Sequence, residues 1–171
     1  GKINDYFLSN INSFLENTLP PNFEKQVKLT HWALEFPVIF EKGGFDIVLG
    51  NPPFLRHEKI DKSLKIPHFK TFLNWYYSKV FTQFHNDQLS LYLYVDLSMY
   101  FILRSFQILM SKGINSYLIT AKWMRTRYGS AIREALSDNS TLYEIVDFRG
   151  KKEFLKAQID AMAYVASKKK P

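Results

Sequence analysis

Asn51, Pro52, Pro53 and Phe54 are consecutive residues whose types and order suit chemistry on a planar base carrying an amino group. Asn51 offers a side-chain carbonyl, and Pro52 a main-chain carbonyl on a residue with no N–H of its own. Two acceptors converging on one –NH2 take both of its hydrogens. They also favour the pyramidal nitrogen whose lone pair can attack a methyl donor. Phe54 supplies a face for stacking on the base. The paired prolines have fixed φ and no N–H, so the loop is stiff and continues neither as sheet nor as helix. Asn-Pro-Pro on its own is also an ordinary turn. The apolar strand before it and the aromatic after it favour the catalytic reading.

The elements around this loop must hold it still. Ile47 to Leu49 is a short, continuous apolar run, the pattern of a buried parallel strand. Gly50 then permits a sharp bend or a close approach to a ligand. A stiff loop at the carboxyl end of a parallel strand is where open α/β sheets bind ligands. Upstream, residues 2–17 read as an amphipathic helix, Pro20-Pro21 ends it, and residues 23–33 form a second short helix. Gly43-Gly44 turns the chain into the motif strand. Downstream, the polar, basic run from Arg56 to Lys65 is a solvated helix or loop. The aromatic residues from Phe69 to Phe84 have a helical spacing that points to burial rather than to stacking on nucleic acid. Residues 94–110 read as a long apolar helix with Asp96 as N-cap and Lys112-Gly113 as its stop. Ile114 to Thr120 is the next buried strand, residues 130–136 a helix, and residues 143–148 and 159–166 the last two strands.

With 171 residues, 46% hydrophobic and 16% aromatic, the chain is long and apolar enough for one domain with a sizeable core. The formal net charge of +7, from 23 Lys+Arg against 16 Asp+Glu, favours a polyanionic partner. No cysteine is present, which excludes disulfides and thiolate metal sites and fits a reducing cytoplasm. The histidines lack carboxylates at ligand spacing, so no metal is expected. No apolar stretch reaches membrane-spanning length, so no membrane partner is expected.

Asn-Pro-Pro-Phe resembles motif IV, the (Asp/Asn)-Pro-Pro-(Tyr/Phe) signature of S-adenosylmethionine-dependent amino-methyltransferases. Its context is longer: His31-Trp32, Leu34 to Pro37, Gly43 to Asp46, and Arg56, Glu58 and Lys59 after the motif. Together these resemble the adenine-specific DNA methylases of type IIG restriction–modification enzymes and the related BREX-type phage-defence methylases. The resemblance implies that Asn51, Pro52, Pro53 and Phe54 form the catalytic loop and that the segment of Arg56 and Lys59 faces DNA. Asp96-Leu97 resembles motif V, with Ser98 where the family has Tyr, and so implies a wall of the cofactor pocket. Lys122-Trp123 with Tyr128-Gly129 is similar to a further family segment. Lys122, Arg125 and Arg127, at a strand's carboxyl end, are candidate phosphate contacts, although a solvated basic loop has the same composition. Residues 154–160 resemble motif VIII, which implies that Phe154 stacks on the flipped-out adenine opposite Phe54.

The family binds S-adenosylmethionine through a Gly-containing motif I after the first strand, but Gly1 is the only glycine before Gly43. The resemblance therefore implies an α/β fold that is one half of a Rossmann-like methyltransferase sheet. That sheet is mixed, with an antiparallel last strand and flanking helices, and lacks the first cofactor-binding strands. Residues 1–40 would be an N-terminal helical segment and residues 41–171 the C-terminal half of the catalytic domain. The expected order is motif strand, Ile114 strand, then the last strand inserted beside the Tyr143 strand. The motif strand would be left with an open edge, giving self-association through that edge or protection of it by residues 1–40. The expected partners are double-stranded DNA, the N-terminal methylase half and a target-recognition region. Two alternatives stay open: an RNA or protein-glutamine methyltransferase sharing the four residues, and a non-catalytic basic nucleic-acid-binding module.

Overall fold

The structure, a computed structural model, describes Phe23 and residues 32–81, 95–126, 129–150 and 160–169. The element that positions the loop is a four-stranded sheet of β1 (Phe45–Gly50), β2 (Leu109–Thr120), β3 (Ser140–Asp147) and β4 (Ala161–Lys168), ordered β1-β2-β4-β3. β1 runs parallel to β2, and β4 lies antiparallel between β2 and β3. The α/β class, the mixed sheet and the inserted last strand are as expected. The helices are α1 (Trp32–Glu35), α2 (Pro37–Glu41), α3 (Ile60–Leu64), α4 (Phe69–Phe81), α5 (Leu97–Ile108) and α6 (Ser130–Asn139).

β2 shows why the core sits where it does. Gly113, Asn115, Tyr117 and Ile119 are buried, and the residues between them are only half-buried, the two-residue period of a strand with one covered face. Tyr117 pairs with Tyr164 and Ile119 with Met162, so β4 adds to the same face. Against it pack Leu97, Met99, Tyr100 and Ile102 of α5, with Phe72 and Tyr77 of α4. The aromatic spacing of α4 thus reflects burial, as its sequence indicates.

The motif strand departs from expectation. Ile47 is 57% and Leu49 70% exposed, whereas the sequence reads as a buried strand. Both point away from the face that carries Tyr117, where α4 and α5 pack. Val48, pointing the other way, packs against the core. Among the described residues β1 pairs on one side only, with β2. The helices expected over residues 2–17 and most of 23–33 lie outside the described residues. What is described of the approach to β1 is an aromatic cluster. The rings of Trp32, Phe36 and Phe40 each meet Phe45 edge-on, at centroid distances of 5.7, 5.6 and 5.8 Å.

A second correction concerns the helix before β2. It ends at Ile108, and Leu109 already has extended dihedrals, so the chain passes from α5 into β2 without a glycine stop. Lys112 takes φ +66°, and a Cβ on Gly113 would lie 2.9 Å from the Phe45 carbonyl oxygen. Lys112-Gly113 therefore serves the irregularity where β1 and β2 shift register between Phe45 and Ile47.

Candidate active-site loop

β1 ends against an aromatic ring. Gly50 pairs with Tyr117, and a Cβ at Gly50 would sit 3.0 Å from Cε1 of that ring. The close approach that a glycine allows here is to Tyr117 rather than to a ligand, and no positive φ is involved. Beneath the strand, the fully buried Asn115 donates from Nδ2 to the Val48 carbonyl at 3.1 Å and accepts from the Tyr164 hydroxyl. This chain of polar groups ties β1, β2 and β4 together three residues before Asn51. Asn115 interrupts an apolar strand, a signal that sequence reading passed over.

Asn51 emerges exposed, Pro52 is buried, Pro53 is exposed, and Phe54 is half-buried with part of its ring against the core. Among the described residues, no hydrogen bond engages the Asn51 side chain or the Pro52 carbonyl. The rest of the loop is fastened: Leu55 N–H donates to the Pro53 carbonyl at 2.9 Å, and Leu97 N–H donates to the Leu55 carbonyl at 2.9 Å.

Asp96 completes the fastening. It occupies the N-cap position of α5, yet its side chain makes no capping bond. Its Oδ1 instead accepts the His57 N–H at 3.1 Å, with His57 Nδ1 4.0 Å away. The expected cap is corrected to a latch between the loop and α5, because the His57 N–H competes for the same carboxylate. Burial raises the Asp96 pKa, opposed by the His57 hydrogen bond and by the charges of His57 and Lys122. A carboxylate held above its unfolded pKa binds its proton more tightly when folded. Its contribution to stability therefore falls as pH rises from about 4 through the raised value. Asp96→Asn keeps an acceptor for His57 and should flatten that slope. Asp96→Ala strands the N–H and should cost about 1–3 kcal/mol. Hydrogen exchange of the His57 amide across pH checks both; equal protection in the two variants would discard the latch.

The second basic segment follows β2 in a 3₁₀ turn, Ala121–Met124. Lys122 is exposed, while Trp123 is 3% exposed and faces the core. Arg125 is exposed and lies 3.7 Å from Asp160, so an acid shares the charge expected for phosphate. Arg133 of α6, not singled out from sequence, donates to the carbonyls of Trp123 and Thr126 and pins this turn. Arg56 and Lys59 are exposed beside the motif loop. Arg127 and Phe154 lie outside the described residues. Among the described residues no cluster of His, Asp and Glu is arranged to hold a metal ion.

The Eco57I restriction-modification methylase family matches residues 2–154. The chain belongs to that family. It is 27% identical over 125 residues to the type II methyltransferase M.PaeR7I of Pseudomonas aeruginosa, covering 73% of this chain and 18% of that protein. It is 30% identical over 103 residues to M.BstVI of Geobacillus stearothermophilus, covering 60% of this chain and 16% of the relative. The chain thus spans less than a fifth of the curated relatives it matches. Among solved structures, the DrdV–DNA complex determined by cryo-EM aligns with TM-score 0.52 at 16% identity, over 82% of this chain and 15% of that one. That likeness is one of fold. For an Eco57I-family chain, the placement of Asn-Pro-Pro-Phe at the carboxyl end of a parallel strand gives the short motif a structural context.

Proposed function

We propose that this chain is the base-holding half of a DNA methyltransferase that modifies the exocyclic amine at position 6 of adenine, within a restriction–modification or phage-defence enzyme. The observation that carries the reading is the fastened loop whose Asn51 amide and Pro52 carbonyl are unengaged among the described residues. The target amine is paired inside the duplex, so the base must leave the stack to reach these acceptors. Asn51 and Pro52 then accept its two hydrogens and orient the nitrogen lone pair. Phe54, and Phe154 from the opposite face, clamp the ring. Arg56, Lys59, Lys122, Arg125 and Arg127 are the proposed backbone contacts. No side chain need remove a proton first, so alignment supplies most of the rate.

The methyl donor implied by the family is S-adenosylmethionine. The described residues do not form its cradle: no glycine-rich loop follows a strand among them, and the Asp96 carboxylate is turned to His57. The chemistry assigned to this chain is accordingly confined to the amine and its ring. Incubating the full-length protein with donor carrying a labelled methyl, against duplex DNA, RNA and protein, tests the reading. Label recovered as N6-methyladenine in DNA is the expected result, and label confined to RNA or to glutamine would reject it.

A further inference from the structure

The corner between α3 and α4 is a second place where charge and backbone geometry converge. A shallow cavity of about 480 Å³ opens there, lined by Asp61, Lys62, Lys65, Pro67 and His68. The corner is firmly seated: Ile60 is fully buried, and Ile66 packs against the core. Asp61 shares the cavity, but its Oδ1 accepts the Lys70 N–H at 2.7 Å, which directs that charge to the start of α4. Among the described residues no ion pair involves Lys62, Lys65 or His68.

The backbone adds an independent observation. Lys65 and His68 have φ of +56° and +62°, the left-handed region that favours glycine. Lys65 ends α3 where glycine is the usual terminator. A merely solvated corner gains nothing from a lysine at such a position. Strain retained at a charged residue on a cavity rim points instead to use of the side chain. α3 begins directly after the 3₁₀ turn His57–Lys59, which the Asp96 latch ties to the motif loop.

We propose that this corner grips a backbone phosphodiester of duplex DNA flanking the flipped base, through Lys62 and Lys65 with His68 on the rim. The inference rests on the DNA reading above and adds a site to it. The test is titration of the full-length enzyme with duplex DNA over a range of salt. Lys62→Ala combined with Lys65→Gly should make the slope of log K against log[salt] shallower by about 0.9 per lysine. Affinity at about 0.1 M salt should weaken by about 10–10²-fold. Lys62→Arg should keep the wild-type slope. Lys65→Gly suits the local φ, so thermal stability should be held or raised, which separates loss of binding from loss of fold. An unchanged slope in a stable double variant, with wild type binding DNA, overturns this site alone. Failure of the wild type to bind duplex DNA overturns the site and the DNA reading together.

Discussion

Asn51→Ala in the full-length enzyme should lower methyl transfer by about 10²–10³-fold or more, the scale on which removal of one preorganised polar group from a reacting centre is felt. DNA affinity should change little, because backbone contacts rather than this amide supply most of it. The fold should be indifferent, since the Asn51 side chain is exposed and makes no hydrogen bond among the described residues. The loss should fall on the single-turnover rate with saturating DNA, not on binding. Asn51→Asp, which keeps an acceptor oxygen in place and matches the other form of the signature, should retain measurable transfer. A turnover by Asn51→Ala within a few-fold of wild type would remove the amine-orienting role from this loop.

The loop was legible because it is local: two prolines, an amide and a ring act through covalent geometry that neighbours hardly alter. The sheet order was legible only through family resemblance, since no period in the strands shows which of them is inserted. The burial of Ile47 and Leu49 was misread for a related reason. A continuous apolar strand reports that both faces suit burial, not which of them the described helices reach. The end of α5 illustrates a different failure. Glycine is favoured both as a helix stop and wherever backbones crowd, and at Gly113 the Phe45 carbonyl makes the second use the operative one. Asp96 is similar, because a carboxylate at a helix start suits a cap or a partner from another segment equally well. The His57 amide, 39 residues away in sequence, takes it.

A large stability effect should come from Gly44, which joins the aromatic cluster to the motif strand. Two penalties compete for the explanation of a Gly43-Gly44 pair, and the two positions separate them. Gly43 has φ +102°, but a Cβ there would meet Met110 Cβ at an ordinary 3.8 Å. Gly43→Ala therefore suffers backbone strain alone, about 1–2 kcal/mol. Gly44 has φ +123°, and its Cβ would lie 2.4 Å from the Ile108 carbonyl oxygen and 2.8 Å from Met110 N. These are backbone atoms where α5 becomes β2, so no side chain can swing aside. Gly44→Ala must push β1 off that junction, at a cost of about 3–5 kcal/mol. Because Phe45 pairs with Leu109 just beyond, the damage should propagate into β1. Amides of β1 bonded to β2 should then exchange at least about 10²-fold faster than in wild type, since each 1.4 kcal/mol is a factor of ten. Gly43→Ala should raise them by about thirty-fold at most. Equal acceleration in the two variants would mean that strain alone is at work and that β1 does not depend on its close contact with the end of α5. Under the proposed function the asymmetry bears on methyl transfer as well as on stability, because Asn51 and Pro52 would converge on one amine only while β1 stays in register with β2.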